Sequence, residues 1–204
     1  RGLNTHVYTT SEIHRVARIA FELARARKSE VVSAEKGNVM EAGLMWREDV
    51  QALRDAEYPD IKLSHMLADN MAMQLVRNPK QFDVILTDNL FGDILSDLGP
   101  AVAGGIGVAP SANLNVEREF PSMFEPVHGS APDIAGQGIA NPIGQIWCAA
   151  MMLEHLGQPE AGAAVLGAIE RVLSAGPGHA PLTRDIGGTA GTTDLGRAIA
   201  EALA

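Results

Sequence analysis

Short apolar runs alternate with longer amphipathic stretches along the first hundred residues of the chain. Thr9 and Glu12 form a capping-box pattern, and apolar residues recur at helical spacing after it, which predicts a helix. Further helices are expected from Val39 to about Ala56 and from Asp69 to about Val76, and strands at Val31–Ala34, Ile61–Leu63 and Phe82–Leu86. Helices alternating with short apolar strands in this way predict an α/β fold.

The pattern changes near Ala103, where glycine and proline become frequent. We expect a long irregular stretch from there to Asn141, which is a good N-cap residue, with Pro142 as the first residue of the next helix. That helix should run to about Leu156, a further helix should cover residues 161–173, and the last should begin at Thr193. The change in pattern predicts two domains, residues 1–103 and 104–204.

Composition restricts the possible partners and compartment. The net charge of −9 argues against a nucleic acid or an anionic membrane as the main partner. No apolar segment is long enough to span a bilayer, and the single cysteine, Cys148, lies in an apolar run. We therefore expect a cytoplasmic protein. The chain opens on Arg1–Tyr8 without an initiator methionine, which suggests that an N-terminal part is missing.

Two carboxylates, Asp93 and Asp97, lie four residues apart just after the strand predicted at Phe82–Leu86. With Gly92 as a turn, they would share one face of the helix that follows. Like charges at this spacing repel unless a cation lies between them, and oxygen ligands favour Mg²⁺ or Mn²⁺. The alternative is a helix N-terminus enriched in acids, which the helix dipole favours.

Asp69 and Lys36 each follow a predicted strand. In an α/β protein the C-terminal end of a strand is where site residues are usually placed. Taken alone, however, Asp69 is better explained as a helix cap, and Lys36 as an exposed surface lysine.

The segment Phe124–Ile134 is a loop rich in glycine and proline that contains His128, Ser130 and Asp133. Its composition suits a rigid loop whose backbone approaches a ligand closely. No GxGxxG pattern follows a strand, and Ser130 is not in a GxSxG elbow, so neither an ordinary Rossmann site nor a serine hydrolase is indicated. His128 alone would more often be a structural histidine.

Three blocks of sequence together resemble one family, the β-hydroxyacid oxidative decarboxylases, which include 3-isopropylmalate, isocitrate, tartrate and D-malate dehydrogenases. The blocks are Lys36–Val39, Asp69 through Asp97, and His128–Pro142. The resemblance runs from about Tyr8 to the C-terminus. It implies the C-terminal portion of a two-lobed, isopropylmalate dehydrogenase-like α/β fold. The lobe of residues 1–103 would bind metal and form the dimer, and residues 104–204 would be the C-terminal half of the dinucleotide-binding lobe.

The resemblance also assigns roles to the acids and the lysine. Asp93 and Asp97 would bind Mg²⁺ or Mn²⁺, and Asp69 would complete the site from the other subunit of a homodimer. Lys36, lent across the same interface, would act in acid–base chemistry at the substrate hydroxyl. The substrate would be a 2-hydroxy diacid.

The same resemblance predicts the dinucleotide site. Asn38 would lie near the nicotinamide, and the adenosine half would be held by Glu125, His128, Gly129, Ser130, Ala131, Pro132, Asp133 and Asn141. An acid at Asp133 can accept hydrogen bonds from a ribose hydroxyl and would repel a 2′-phosphate, so NAD is favoured over NADP.

The substrate and the activity of the chain stay open at this point. Lys36–Arg47 resembles the isopropylmalate branch, which acts in leucine biosynthesis, whereas Glu117–Met123 resembles the tartrate and D-malate branch. In the family, the arginines that bind the substrate and a catalytic tyrosine lie upstream, and Tyr8 matches a position in the dimer arm instead. The chain could therefore also be a catalytically silent dimerisation fragment. A metal-dependent phosphatase or lyase using the same acids is a third possibility.

Overall fold

A three-stranded parallel sheet forms the centre of the first half of the chain. The computed structural model describes residues 1–203, which divide into two compact units, residues 1–99 and 100–203. In the first unit the strands are β1 (Glu30–Glu35), β2 (Lys62–Leu67) and β3 (Val84–Thr87), in the order β2-β1-β3. The helices are α1 (Thr10–Arg25), α2 (Glu41–Glu57), α3 (Ala68–Arg77) and α4 (Asn89–Ala103). The parallel sheet with helical crossovers confirms the predicted α/β fold.

Both faces of this sheet are covered, because successive side chains of a strand point to opposite faces. Val31 packs in a cluster with Phe21 of α1 and Val50 of α2. Ala34 packs in a second cluster with Met71 of α3 and Leu95 of α4. The near-continuous apolar runs that predicted the strands are therefore the runs that this two-sided burial requires.

The starts of α4 and α2 differ from the predicted positions for identifiable reasons. Gly92 was expected to be a turn, but it lies inside α4, which begins at Asn89. The Asp88 carboxylate accepts a hydrogen bond from the Phe91 amide at 2.9 Å, as an N-cap residue does, and so starts the helix earlier. α2 begins at Glu41, two residues after the predicted Val39. The residues before it form a turn in which the amides of Val39 and Met40 donate hydrogen bonds to the Lys36 carbonyl.

The second unit is mainly helical. Its helices are α5 (Ile143–His155), α6 (Pro159–Ala175) and α7 (Thr192–Leu203), which share a core around Ile143, Ile169 and Leu195. The stretch predicted to be irregular contains two antiparallel strands, β4 (Pro110–Asn113) and β5 (Met123–Pro126), so that prediction was wrong. Pro142 occupies the N-cap position of α5, and the Ile143 amide donates to the Asn141 side chain at 2.9 Å.

The division between the units lies inside α4, between Gly99 and Pro100, whereas the sequence predicts it after Ala103, the last residue of that helix. Over residues 1–203, no helix combines the length and the apolar character needed to cross a bilayer.

Candidate functional site

The C-terminal edge of the parallel sheet brings together polar residues that are far apart in sequence. Lys36 directly follows β1, Asp69 lies in the first turn of α3 after β2, and Asp88 follows β3. Parallel strands end at the same edge, which is where open α/β sheets place ligands. The parallel pairing therefore places these three charged residues at one edge of the sheet.

Lys36 and Asp69 form an ion pair at this edge. The Lys36 Nζ donates to Asp69 Oδ1 at 2.5 Å. This hydrogen bond lowers the pKa of the Asp69 carboxyl, and backbone amides at the start of α3 lower it further. Leu67 occupies the N-cap position of α3, and no side chain caps that helix. Asp69 is therefore engaged by the lysine and does not act as the cap that its position suggested.

Asp93 and Asp97 lie on an exposed part of α4, one turn apart, so both carboxylates are open to solvent. Two oxygen donors at this spacing suit one side of a site for a hard divalent ion, but such an ion usually takes more ligands. Within residues 1–203 of one chain, no group of three His, Cys, Asp or Glu residues could hold a metal ion. The predicted trio of Asp69, Asp93 and Asp97 is thus not assembled by a single chain.

Tyr8 lies beside the start of α4, where its hydroxyl donates to the Asn89 side chain. Burial raises the pKa of the Tyr8 hydroxyl, and the neighbouring Asp88 raises it further. His6 Nε2 is 3.5 Å from Asp88 Oδ2. These contacts attach the first residues of the chain to the same edge of the sheet.

A second candidate site is a cavity of about 260 Å³ in the second unit. Its lining includes His128, Ala131 and Asn141, three of the predicted adenosine-binding residues. The isoleucines Ile106, Ile134 and Ile139 make much of the wall apolar. An apolar cavity with a few fixed polar groups is typical of a small-molecule site.

The Asn141 amide in this cavity is held by an adjacent carboxylate. Its Nδ2 donates to Asp185 Oδ2 at 2.9 Å, and Thr183 Oγ1 donates to Asp185 Oδ1 at 2.6 Å. A Cβ at Gly107 would lie 2.8 Å from the Asn141 Cβ and 3.1 Å from Asp185 Oδ2. Only glycine therefore allows this close approach without displacing its neighbours. With its Oδ1 bonded to the Ile143 amide, Asn141 has one side-chain N–H left for a ligand.

The remaining predicted cofactor residues lie in exposed positions. Glu125 is on β5 opposite Ser111, and Asn38 is in the turn after Lys36. Gly129, Ser130, Pro132 and Asp133 are exposed in the loop after β5, where the His128 ring lies 3.0 Å from the Gly129 carbonyl. The Asp133 carbonyl accepts a hydrogen bond from the Gln137 side chain, and its carboxylate is left facing solvent.

Sequence reasoning missed Arg184 and Asp185, which also line the cavity. They lie more than forty residues after Asn141, outside the predicted ligand loop. The available signal was a charged pair between the apolar Leu182 and the glycines Gly187 and Gly188. Such a pair in a glycine-rich segment is a reason to suspect a ligand contact.

Comparison with known proteins identifies the family of the chain. The sequence profile named "Isocitrate/isopropylmalate dehydrogenase" matches residues 1–199. The chain belongs to the isocitrate/isopropylmalate dehydrogenase family. Both the family resemblance and the expected fold are therefore confirmed. Members of this family are decarboxylating dehydrogenases that form dimers, act on small substrates, and use NAD and a divalent metal.

Similar proteins include the 3-isopropylmalate dehydrogenase of Caulobacter vibrioides, which is 54% identical over all of this chain and 57% of its own length. That of Pelagibacter ubique is 61% identical over 76% of this chain and 43% of its own. Among solved structures, the isocitrate dehydrogenase of Methylococcus capsulatus superposes with a TM-score of 0.90 at 39% identity, covering 98% of this chain and 58% of that one. The chain thus spans about half the length of the relatives it matches.

Proposed function

We propose that this chain is the C-terminal part of an NAD- and divalent-metal-dependent dehydrogenase that oxidises and decarboxylates a 2-hydroxy diacid. The observation that carries the proposal is the Lys36–Asp69 pair, which places an amine and a carboxylate of one chain at the sheet edge where ligands bind. Among the possible diacids, 3-isopropylmalate is favoured over tartrate and D-malate because relatives with that name are 54% and 61% identical.

The two acids of α4 would hold the metal from one side, and Asp69 of the partner subunit would hold it from the other. The proposal rests here on the exposure of Asp69, Asp93 and Asp97, which leaves all three carboxylates accessible to a second chain. When bound, the divalent ion would polarise the substrate hydroxyl and stabilise negative charge on the substrate oxygen.

Because Lys36 and Asp69 touch in one chain, both would be lent to the neighbouring site together. The Lys36 amine would take part in proton transfer at the substrate hydroxyl, a role that suits a lysine held in a fixed position. The cavity around Asn141 would hold the adenosine half of NAD, and the cofactor, when bound, would supply the hydride acceptor. There the apolar wall would contact the base, and the fixed amide would offer one hydrogen bond.

A catalytically silent dimerisation fragment is the second candidate. It is favoured by the finding that the chain covers only about half the length of its relatives. In that case the chain would form the metal-binding face without completing the substrate site.

Substitution of Asp93 tests the metal site directly. We expect D93N to lower the affinity for Mn²⁺ by at least about tenfold, because it removes one charged oxygen donor from a surface position without disturbing the core. Calorimetric titration with Mn²⁺ measures this loss, and circular dichroism checks the fold. E170Q, which neutralises an exposed acid on α6, is the matched control.

Turnover separates the two candidate functions. The 204-residue chain is incubated with NAD and Mg²⁺ or Mn²⁺ and, in turn, with isopropylmalate, D-malate, tartrate and isocitrate, and NADH absorbance is followed. Turnover of isopropylmalate that D93N abolishes supports the enzyme. Metal binding without turnover of any diacid supports the silent fragment. Equal Mn²⁺ affinity in D93N and the wild type contradicts the role of Asp93 as a metal ligand, which both candidate functions assume.

A further inference from the structure

The backbone of Lys36 packs closely against the first turn of α2 at Gly43. A Cβ at Gly43 would lie 2.7 Å from the Lys36 carbonyl carbon, 2.8 Å from the Gly37 nitrogen and 3.0 Å from the Lys36 nitrogen. Real Cβ atoms essentially never come within 3.0 Å of another atom, and the atoms here are backbone atoms of a strand end, which cannot rotate away. Any other residue at this position would therefore displace the Lys36 peptide from α2.

A buried carboxylate holds the other side of the same turn. Glu35 ends β1 with only 1% of its surface exposed. Its Oε2 accepts a hydrogen bond from the Gly37 amide, and Arg47 Nη1 is 3.5 Å from its Oε1. A buried carboxylate is costly unless it is paired and hydrogen-bonded, so the Gly37 amide and Arg47 hold the Glu35 side chain in place.

The turn is closed by backbone bonds to the lysine itself. The amides of Val39 and Met40 donate to the Lys36 carbonyl at 3.1 and 3.0 Å. Three interactions thus hold the Lys36 backbone in place. Its carbonyl accepts the two amide hydrogen bonds, Gly43 of α2 packs against it, and Glu35 bonds the amide of the next residue, Gly37. The long side chain leaves this fixed backbone toward Asp69, to which its amine is bonded.

We propose that Gly43 and Glu35 are positioning residues that hold the Lys36 turn so that the lysine amine meets Asp69. Neither residue touches the acid–base centre itself; each acts through the Lys36 backbone. The inference rests on the proposed role of Lys36 in the reaction. The inference adds Gly43, which has no side chain, and the buried Glu35 to the residues on which the role of Lys36 depends.

The test is the rate at which an amine-selective acylating reagent labels Lys36 in the intact chain, read by peptide mass spectrometry. The chain has four lysines, and the exposed Lys80 is the internal reference. In the wild type, the amine held on Asp69 should react more slowly than Lys80. We expect G43A and E35A to raise the Lys36 rate several-fold relative to Lys80, as D69N should do by removing the partner.

Two controls separate positioning from general destabilisation. G99A makes the same substitution in the same unit, at a helical glycine with open space around it, and should leave the ratio unchanged. E35Q keeps an oxygen acceptor for the Gly37 amide and should rescue the slow labelling that E35A loses. A variant that is partly unfolded is labelled in sucrose, which favours the folded state.

Folded G43A or E35A with wild-type labelling of Lys36 would overturn the inference. The assay uses no substrate, metal or cofactor, so its outcome does not depend on whether the proposed function is correct. If Lys36 is labelled faster in G43A and E35A but the chain binds no metal, the proposed metal-dependent function is contradicted and the positioning role of Gly43 and Glu35 is not. Unchanged labelling in a chain that does turn over substrate would contradict the positioning alone.

Discussion

At the scale of single residues, much of the chemistry depends on glycines that allow close approach. Gly43 brings α2 onto the Lys36 backbone, and Gly107 allows Asn141 and Asp185 to meet at the cavity. In both places a methyl group would have to occupy space already filled by neighbouring atoms. The polar side chains that could do the chemistry are thus placed by residues that have no side chain.

Gly107 gives a testable case. We expect G107A to destabilise the chain by about 1–3 kcal/mol through overpacking against Asn141 and Asp185. Because the Asn141 amide is then displaced, the affinity for AMP, a probe of the proposed adenosine site, should fall as well. Urea unfolding and calorimetric titration with AMP measure the two effects.

The matched control is G196A on α7, where no atom lies within 4 Å of the added methyl group. That substitution should stabilise the helix by up to about 1 kcal/mol and leave AMP binding unchanged. If G107A proves as stable as G196A and binds AMP equally well, the close approach at Gly107 has no role in either stability or binding.

At the scale of elements, the sequence predicted best where a structure depends on neighbouring residues. The capping box of Thr9 and Glu12 is present at α1 with both of its hydrogen bonds. β1 and β3 were found because burial on both faces of a parallel sheet favours short runs of consecutive apolar residues, such as Val31–Val32 and Val84–Leu86.

The strands β4 and β5 were missed for the opposite reason. The sequence of β4, Pro110–Asn113, has no β-branched residue, and the strand is held by pairing with Met123–Pro126 across a nine-residue loop. That loop is ordered by the Asn115 side chain, which accepts hydrogen bonds from the amides of Glu119 and Phe120. Pairing of this kind is set by contacts that local propensity does not contain.

In the candidate site, too, single residues could be predicted from the sequence but their contacts could not. Lys36 and Asp69 could be singled out because each follows a strand, but their contact spans 33 residues and was not predicted. The pairing of Asn141 with Asp185 spans 44 residues, and no local pattern indicates it. A sequence thus marks candidate residues at strand ends, whereas the partner of each depends on the assembled fold.

An ion pair joins α1 to the segment before β2 and makes the stability of the fold depend on pH. Arg25 of α1 bonds both carboxylate oxygens of Asp60, at 2.8 and 2.7 Å, and lies 4.6 Å over the Tyr58 ring. The Arg25 hydrogen bonds lower the pKa of Asp60 from 3.8 to about 2. A depressed carboxyl pKa stabilises the fold above the ordinary value, and that stabilisation disappears as pH falls through the folded-state value.

We therefore expect D60N to unfold at a lower temperature than the wild type near neutral pH. The difference should shrink below pH 3.8 and vanish below about pH 2, where Asp60 is protonated in both states. Thermal unfolding across this range measures it, with E170Q as the control for loss of an exposed acid. A difference between D60N and the wild type that does not change with pH would rule out the ion pair as its cause.

At the scale of the whole molecule, net charge and the exposed acids set what one chain can do alone. The chain carries a net charge of −9, and Lys36, the cation at the sheet edge, is already paired with Asp69. A diacid is therefore repelled unless a divalent ion or further cations offset the charge. In the proposed function, the divalent ion would offset this charge and so allow a diacid to approach the sheet edge.

The helices that carry the acids also expose apolar side chains. Met73 and Val76 on α3 are 55% and 57% exposed, and Leu90 and Ile94 on α4 are 48% and 54% exposed. The opposite sides of these helices pack together in the core. An exposed apolar surface beside charged site residues is typical of an interface, and a two-fold dimer would use the same surface on both chains. Such a dimer would cover the helices that carry Asp69 and the α4 acids.

We expect the double substitution L90E/I94E to raise the dimer dissociation constant by at least about thirtyfold, since losing a central apolar anchor costs about 2 kcal/mol or more. Sedimentation velocity across a concentration series measures the shift from dimer to monomer. L23E, at a leucine of α1 that is 53% exposed, introduces a charge away from this surface and should leave the dimer intact. Because the proposed metal site draws on both chains, Mn²⁺ affinity should fall together with dimerisation. A monomeric wild type that still binds Mn²⁺ tightly would show that one chain builds the site alone.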